Sequence, residues 1–196
     1  CDNPIPIWQI HAKSGFHNTD KKQLFFQNAH LRVFDTPVFF VPYLRLPEPG
    51  VKRMRGFLVP RTKQNSLLGL ALELPYFVPI GQDKDITISP LISQHTKTLK
   101  FNYRQAFDTG GFEANLAASR DTVIPEKIRA RFQAVGNVNL PKNYRLHYDF
   151  TMVSDDSYLS DYDYPPLDRI ASLINFNKTQ KLQHEEVNLV YYHSLF

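Results

Sequence analysis

The sequence predicts an all-β protein, and three observations carry that prediction. Apolar and polar residues alternate with period two over several separate stretches, which sets each kind on one face of a strand. Turn-forming residues fall between those stretches at hairpin spacing. The longest apolar run, Val38 to Leu44, contains a proline and is far shorter than the roughly 20 residues of a membrane-spanning helix.

The first part of the chain reads as short strands. Ile7 to Lys13 is one, with a polar turn at His17 to Lys22, and Leu24 to Phe34 is a second. Val38 to Leu44 is a third, apolar on both faces and so expected to be covered on both. Prolines at 37, 42, 47 and 49 point to edges, bends and a stop.

From Gly56 the pattern becomes repeated alternation, and roughly nine strands are expected. Leu99, Phe101, Tyr103 and Phe107 oppose Lys100, Asn102 and Arg104; Phe112, Ala114, Leu116 and Ala118 oppose Glu113, Asn115 and Ser119. Tyr144, Leu146, Tyr148, Phe150 and Met152 oppose Arg145, His147, Asp149 and Thr151, and Val187, Leu189, Tyr191 and Leu195 repeat the pattern. Turns are expected at Asn65-Ser66, Gly81 to Lys84, Asp108 to Gly111 and Pro141 to Asn143. Lys127 to Val135 fits helical and strand spacing alike, and its neighbours favour strand. Ser154 to Arg169, rich in Asp, Tyr and Pro, reads as a long loop.

Such alternation fits a barrel with lipid outside and a wet lumen, whose strands need only about 9–11 residues. It also fits a soluble sandwich whose polar face meets water. The 196 residues are 42% hydrophobic, which excludes a disordered chain. The net charge of +4 is scattered without a basic block, so solvated faces are expected rather than a nucleic-acid surface. No nucleophile elbow, zinc-protease motif or phosphate-binding glycine loop is present, and the seven histidines are dispersed, so neither an enzyme, a metal nor a cofactor is expected. Asp155, Asp156, Asp161 and Asp163 gather in one loop, where a solvated cluster is favoured over a divalent-cation site. The absence of an initiator Met, and an end inside the run Ser194-Leu195-Phe196, suggest a piece of a longer chain.

Three stretches in order carry a resemblance. They are Pro37-Val38-Phe39-Phe40-Val41-Pro42-Tyr43-Leu44-Arg45-Leu46-Pro47; Val51-Lys52-Arg53-Met54-Arg55-Gly56-Phe57-Leu58-Val59-Pro60; and Leu74-Pro75-Tyr76-Phe77, continued by Asp85-Ile86-Thr87-Ile88-Ser89-Pro90. Trp8 to Ala12, and Asp149 to Tyr158, flank them as weaker matches. Together they resemble the lipopolysaccharide-assembly outer-membrane proteins, the LptD family.

The resemblance implies the end of a periplasmic open β-jelly-roll at residues 1–50, followed at 51–196 by the first antiparallel strands of a large transmembrane β-barrel. It implies lipopolysaccharide transport to the outer leaflet of the outer membrane. The implied partners are lipopolysaccharide, a plug lipoprotein (LptE-like), a periplasmic bridge protein (LptA-like) and outer-membrane lipid. Phe25, Phe26, Leu31, Phe39, Phe40 and Val41 would line an acyl-chain groove, or else an ordinary closed core. Pro60 and Pro75 match the family's strand prolines. Proline has no N–H for a ladder, so the strands carrying them would pair weakly where the barrel's first strand meets its last, and that seam would open as a lateral gate. Cys1 would form a disulfide with a cysteine outside this chain, as an oxidising periplasm permits. Lys52, Arg53 and Arg55 would meet phosphates or solvent. A general porin or receptor barrel is the alternative; it has no need of the proline-rich strands before residue 50. An outer-membrane lipase would need Ser, His and an acid converging at one rim.

Overall fold

The computed structural model describes every residue other than 1–7, 21, 49, 51–52, 66, 166–167, 181–182 and 195–196. The features at Cys1, Ile7, Pro49, Val51, Lys52, Ser66, Leu195 and Phe196 therefore lie outside the described residues. The rest is almost entirely antiparallel strand, in two sheets.

The first sheet is a meander of β1 (Trp8–Asn18), β2 (Gln23–Val33) and β3 (Thr36–Pro47). Val33 pairs with Thr36, so β2 and β3 are joined by two residues. Both of these, Phe34 and Asp35, have positive φ, at 47° and 64°. That backbone matches the right-handed twist of the strands it joins. The Asp35 carboxylate ties the turn down by accepting from Gln9 Nε2 at 2.9 Å and Arg32 Nη1 at 2.8 Å.

The ladder skips one level, where Asn28, at φ 50°, lies between the pairs Ala29–Val41 and Gln27–Tyr43. The residue opposite is Pro42, which has no N–H to offer. The strand β3 runs along one edge of the sheet, with Val38, Phe39, Phe40 and Tyr43 exposed and Leu44 buried. This corrects the expectation that Val38 to Leu44 would be covered on both faces. A strand paired along one side, carrying Pro37 and Pro42, is an edge rather than a sandwiched strand.

The second sheet begins with two interrupted strands. The first consists of β4 (Gly56–Phe57) and β5 (Arg61–Asn65), and the second of β6 (Gly69–Glu73) and β7 (Tyr76–Ile80). After them come β8 (Lys84–Ile92), β9 (Thr96–Phe107), β10 (Gly110–Asp121), β11 (Arg129–Leu140), β12 (Tyr144–Val153), β13 (Arg169–Gln180) and β14 (Gln183–Ser194). Each of these pairs with the next. With the halves joined, the sheet has nine strand runs, the number that alternation predicts. The ambiguous stretch at Lys127 to Val135 enters strand β11, flanked by β10 and β12.

Burial in this sheet is the reverse of a soluble protein's. Thr96, Thr98, Ser119, Asp121 and Arg129 are buried on one face, while Leu99, Leu116, Phe132 and Met152 are exposed on the other. Cross-strand register keeps the faces separate: Leu116 sits between Phe101 and Phe132, and Asn115 between Asn102 and Gln133. The turns at 81–83, 108–109 and 141–143 are short and share one end of the sheet. The longer connections at 122–128 and 154–168 share the other. The segment 154–165 is not a solvated loop. It contains one helical turn, α1 (Tyr158–Asp161), and packs Tyr158 and Tyr162 onto the polar face against Leu68 and Ala117.

Candidate functional site

Pro60 lies in the interruption between β4 and β5, and Pro75 in that between β6 and β7. The two interruptions face each other. The Leu58 N–H donates to the Pro75 carbonyl at 2.8 Å, and the Leu74 N–H donates to the Pro90 carbonyl at 3.0 Å. On one side of the break Phe57 pairs with Tyr76; on the other Arg61 pairs with Glu73, a register slip of one residue. No such slip separates the second strand from β8, where Tyr76–Ile88 and Glu73–Leu91 keep one register. The discontinuity therefore lies between the first and second strands. Neither proline has an N–H with which to close it.

Beside this break the first sheet presents an apolar cavity of about 230 Å³. Ile10, Ala29, Leu31, Phe39, Val41, Leu44 and Leu46 line it from the first sheet. Phe57, Leu58, Val59, Pro60 and Leu74 line it from the interrupted strands. The structure thus brings Leu31, Phe39, Val41 and Pro60 to one cavity. Phe26 is paired with Leu44 and shares its face, but does not line the cavity. Phe25 and Phe40 fall on the opposite face. There Phe25 stacks on Phe16 at 4.8 Å between ring centres, and Phe40 lies 4.9 Å from the His30 ring.

Sequence reasoning missed the contribution of residues 57–59. Their signal was present: Phe57-Leu58-Val59 is apolar without alternation, which suits neither face of an ordinary barrel strand.

On the polar face two cations have carboxylate partners. Lys100 Nζ lies 2.7 Å from Glu73, and Arg104 Nε 2.9 Å from Asp85. Arg53, expected to meet phosphate or solvent, donates to the Lys84 carbonyl at 2.9 Å and lies 3.5 Å from Asp85. Arg55 is exposed. A larger cavity of about 700 Å³ opens on this face, with Arg61, Asn102, Asn115 and Gln133 on its wall and Tyr164 and Pro165 from the long loop beside them.

That loop is held by Arg129, whose side chain is fully buried. Its Nε and Nη2 grip Asp155 as a fork at 3.0 and 2.6 Å. Nη2 also donates to Asp161 at 2.8 Å and to Ser157 at 3.0 Å, and Nη1 to Asp121 at 3.1 Å. The Tyr162 hydroxyl donates to Asp121 at 2.7 Å, and the Tyr158 hydroxyl is 2.9 Å from Ser119 Oγ.

Burial pulls the Asp155 carboxyl upward. The Arg129 fork, with the Ser154 and Ser157 hydroxyls, outweighs it and holds the group below its ordinary value. Burial pushes the phenols of Tyr158 and Tyr162 up, so both stay protonated donors. Of the four aspartates expected to be solvated, Asp155 and Asp161 clasp an arginine, whereas Asp156 and Asp163 are exposed. Among the described residues, no group of three or more His, Cys, Asp or Glu side chains could hold a metal ion.

No protein-family model matches the chain. Individual proteins do. The LPS-assembly protein LptD of Idiomarina loihiensis is 29% identical over 202 residues, covering 97% of this chain and 27% of that protein. The LPS-assembly protein LptD of a Shewanella species is 32% identical over 169 residues, covering 82% of this chain and 21% of that protein. That of Mannheimia succiniciproducens is 30% identical over 162 residues, covering 80% and 21%. The chain thus spans about a fifth to a quarter of the length of the curated relatives it matches. By sequence, and with the all-β architecture in agreement, it belongs to the family of the LPS-assembly protein LptD.

Proposed function

We propose that this chain is the part of a lipopolysaccharide translocon in which a periplasmic groove meets a laterally opening outer-membrane barrel. In this reading residues 1–50 end an open β-jelly-roll in the periplasm, and residues 51–196 begin the barrel. The observation that carries it is the shared apolar cavity, which runs from Leu31, Phe39 and Val41 onto the interrupted strand at Phe57 to Pro60. Acyl chains need continuous apolar surface, because each CH₂ exposed to water costs about 0.8 kcal/mol. The sugar head needs a wet route, and the polar face with its 700 Å³ cavity supplies one. The break leaves the first strand weakly laddered, and in this reading that strand meets the barrel's last strand at a seam that parts sideways while acyl chains enter the bilayer.

The outward apolar face, with Leu99, Leu116, Phe132 and Met152, would meet lipid. A plug lipoprotein inside the barrel and a periplasmic bridge protein feeding the groove complete the proposal, as does a disulfide from Cys1 to a cysteine elsewhere in the parent protein. A general porin or receptor barrel has no use for an apolar cavity at a broken seam.

Depletion of the full-length parent tests the reading. Newly made lipopolysaccharide should stall before the outer leaflet while other barrels still assemble. Normal arrival at the surface would sink it.

A further inference from the structure

We infer that the loop segment 154–165 is a clasp that holds the tip of the first hairpin to the sheet, so that release of Arg129 frees the seam strand. The inference rests on the proposed function only in naming β4–β5 as one side of the gate; the clasp itself stands on geometry.

The first hairpin is poorly secured by its own ladder. Its two strands are broken at Pro60 and Pro75, and β5 lies along the edge of the sheet. Its tip is held from elsewhere. Asn65 Oδ1 accepts the backbone N–H groups of Leu67 and Leu68 at 3.1 and 2.6 Å, which shapes the turn. Asn65 Nδ2 then donates to the Asp161 carbonyl at 3.1 Å. Leu68 is buried against Tyr158 and Tyr162, whose rings stack at 4.5 Å. Among the described residues the tip's hydrogen bond to another segment is to α1, and Leu68 packs with α1, the residue after it and Ala117.

The loop is in turn fixed to β10 and β11 by Arg129 through Asp155, Asp161 and Ser157, and by Tyr162 through Asp121. The chain of contacts runs from the strand wall, through the loop, to the hairpin tip. The seam strand is thereby held at its far end by a loop about 90 residues away in sequence. Hence the loop that covers the polar face and the strand that edges the seam are expected to move together: a solute that lifts Tyr158 and Tyr162 off the wall also unfastens the hairpin.

Hydrogen exchange on the full-length parent protein in lipid nanodiscs tests this. In Arg129→Gln, amides of 61–65 and 69–73 should exchange about tenfold faster or more, while those of β8 and β9 keep their protection. Should that variant fail to fold, Asn65→Ala combined with Leu68→Ala leaves the Arg129 contacts intact. It should speed the same hairpin amides and leave α1 unchanged. Unaltered hairpin exchange in a folded variant, with the loop released in the first or the tip contacts removed in the second, would overturn the clasp. Faster hairpin exchange with undiminished lipopolysaccharide export would keep the clasp and count against the gate instead.

Discussion

Arg129 and Asp155 meet as a two-pronged fork, at 3.0 and 2.6 Å, with the guanidinium fully buried. Arg129→Met leaves Asp121, Asp155 and Asp161 without their shared cation. Removing one partner of a buried pair costs about 3–5 kcal/mol. Asp155→Asn leaves Asp161 and Asp121 on the arginine and should cost about half as much. Thermal unfolding of the two variants of the parent protein checks the order. Equal losses would mean that the other carboxylates do not share the load.

The same fork sets a pH dependence. Asp155 titrates below its ordinary value of 3.8 in the folded protein. Its contribution is therefore fully present above that value and is lost as pH falls through the lower, folded one. The near-ultraviolet dichroism of the Tyr158–Tyr162 stack should hold from neutral pH to about pH 4 and fall below it. The Asp155→Asn variant should show a weaker signal with a smaller acid transition.

Restoring donors at the break should tighten it. Pro60→Thr with Pro75→Thr supplies two N–H groups where the first and second strands now meet through the Leu58–Pro75 bond. Each new backbone bond is worth about 1 kcal/mol. Pulse-labelled lipopolysaccharide should reach the surface more slowly in the double variant. Unchanged kinetics would argue against a lateral gate at these strands.

The two faces of the first sheet should differ in lipid contact. Photo-crosslinking side chains placed at 31, 39 and 41, which line the cavity, should capture lipopolysaccharide; those at 25 and 40, on the other face, should not. Capture at Phe25 or Phe40 equal to that at Phe39 would mean that the cavity is not the route.

Gly110 tests the second sheet by a different means. A Cβ there would collide with the Asn137 carbonyl oxygen, a backbone atom that cannot swing aside. Gly110→Ala should destabilise the sheet by about 3 kcal/mol or more. Gly50→Ala, at a site where a Cβ meets nothing within 4 Å among the described residues, leaves the left-handed φ of 99° strained, whereas the contact at Gly110 is a clash as well. A folded-fraction measurement on gels, with and without heating, ranks the two.

The period-two pattern by itself determined the strands at Thr96–Phe107, Gly110–Asp121 and Tyr144–Val153, because side chains on a strand alternate whatever the strand packs against. It also determined which residues share a face, as Leu99, Phe101 and Tyr103 do. The prolines at 60 and 75 marked weak pairing before any partner was known, since a missing N–H is a local property. Partnership was not legible. Only the tertiary structure set Phe25 away from the cavity, because the ladder skips a level at Asn28 and Pro42 and shifts which residues share a face beyond it; Phe40 opposes Phe39 and Val41 by alternation alone. Only it joined Phe57 to Pro60 with Leu31 and Val41, since that contact spans two sheets. The aspartates of the long loop looked solvated because their counter-charge, Arg129, lies at the start of another strand. A buried ion pair between distant segments leaves no periodic trace; it exists only once folding has brought its halves within 3 Å.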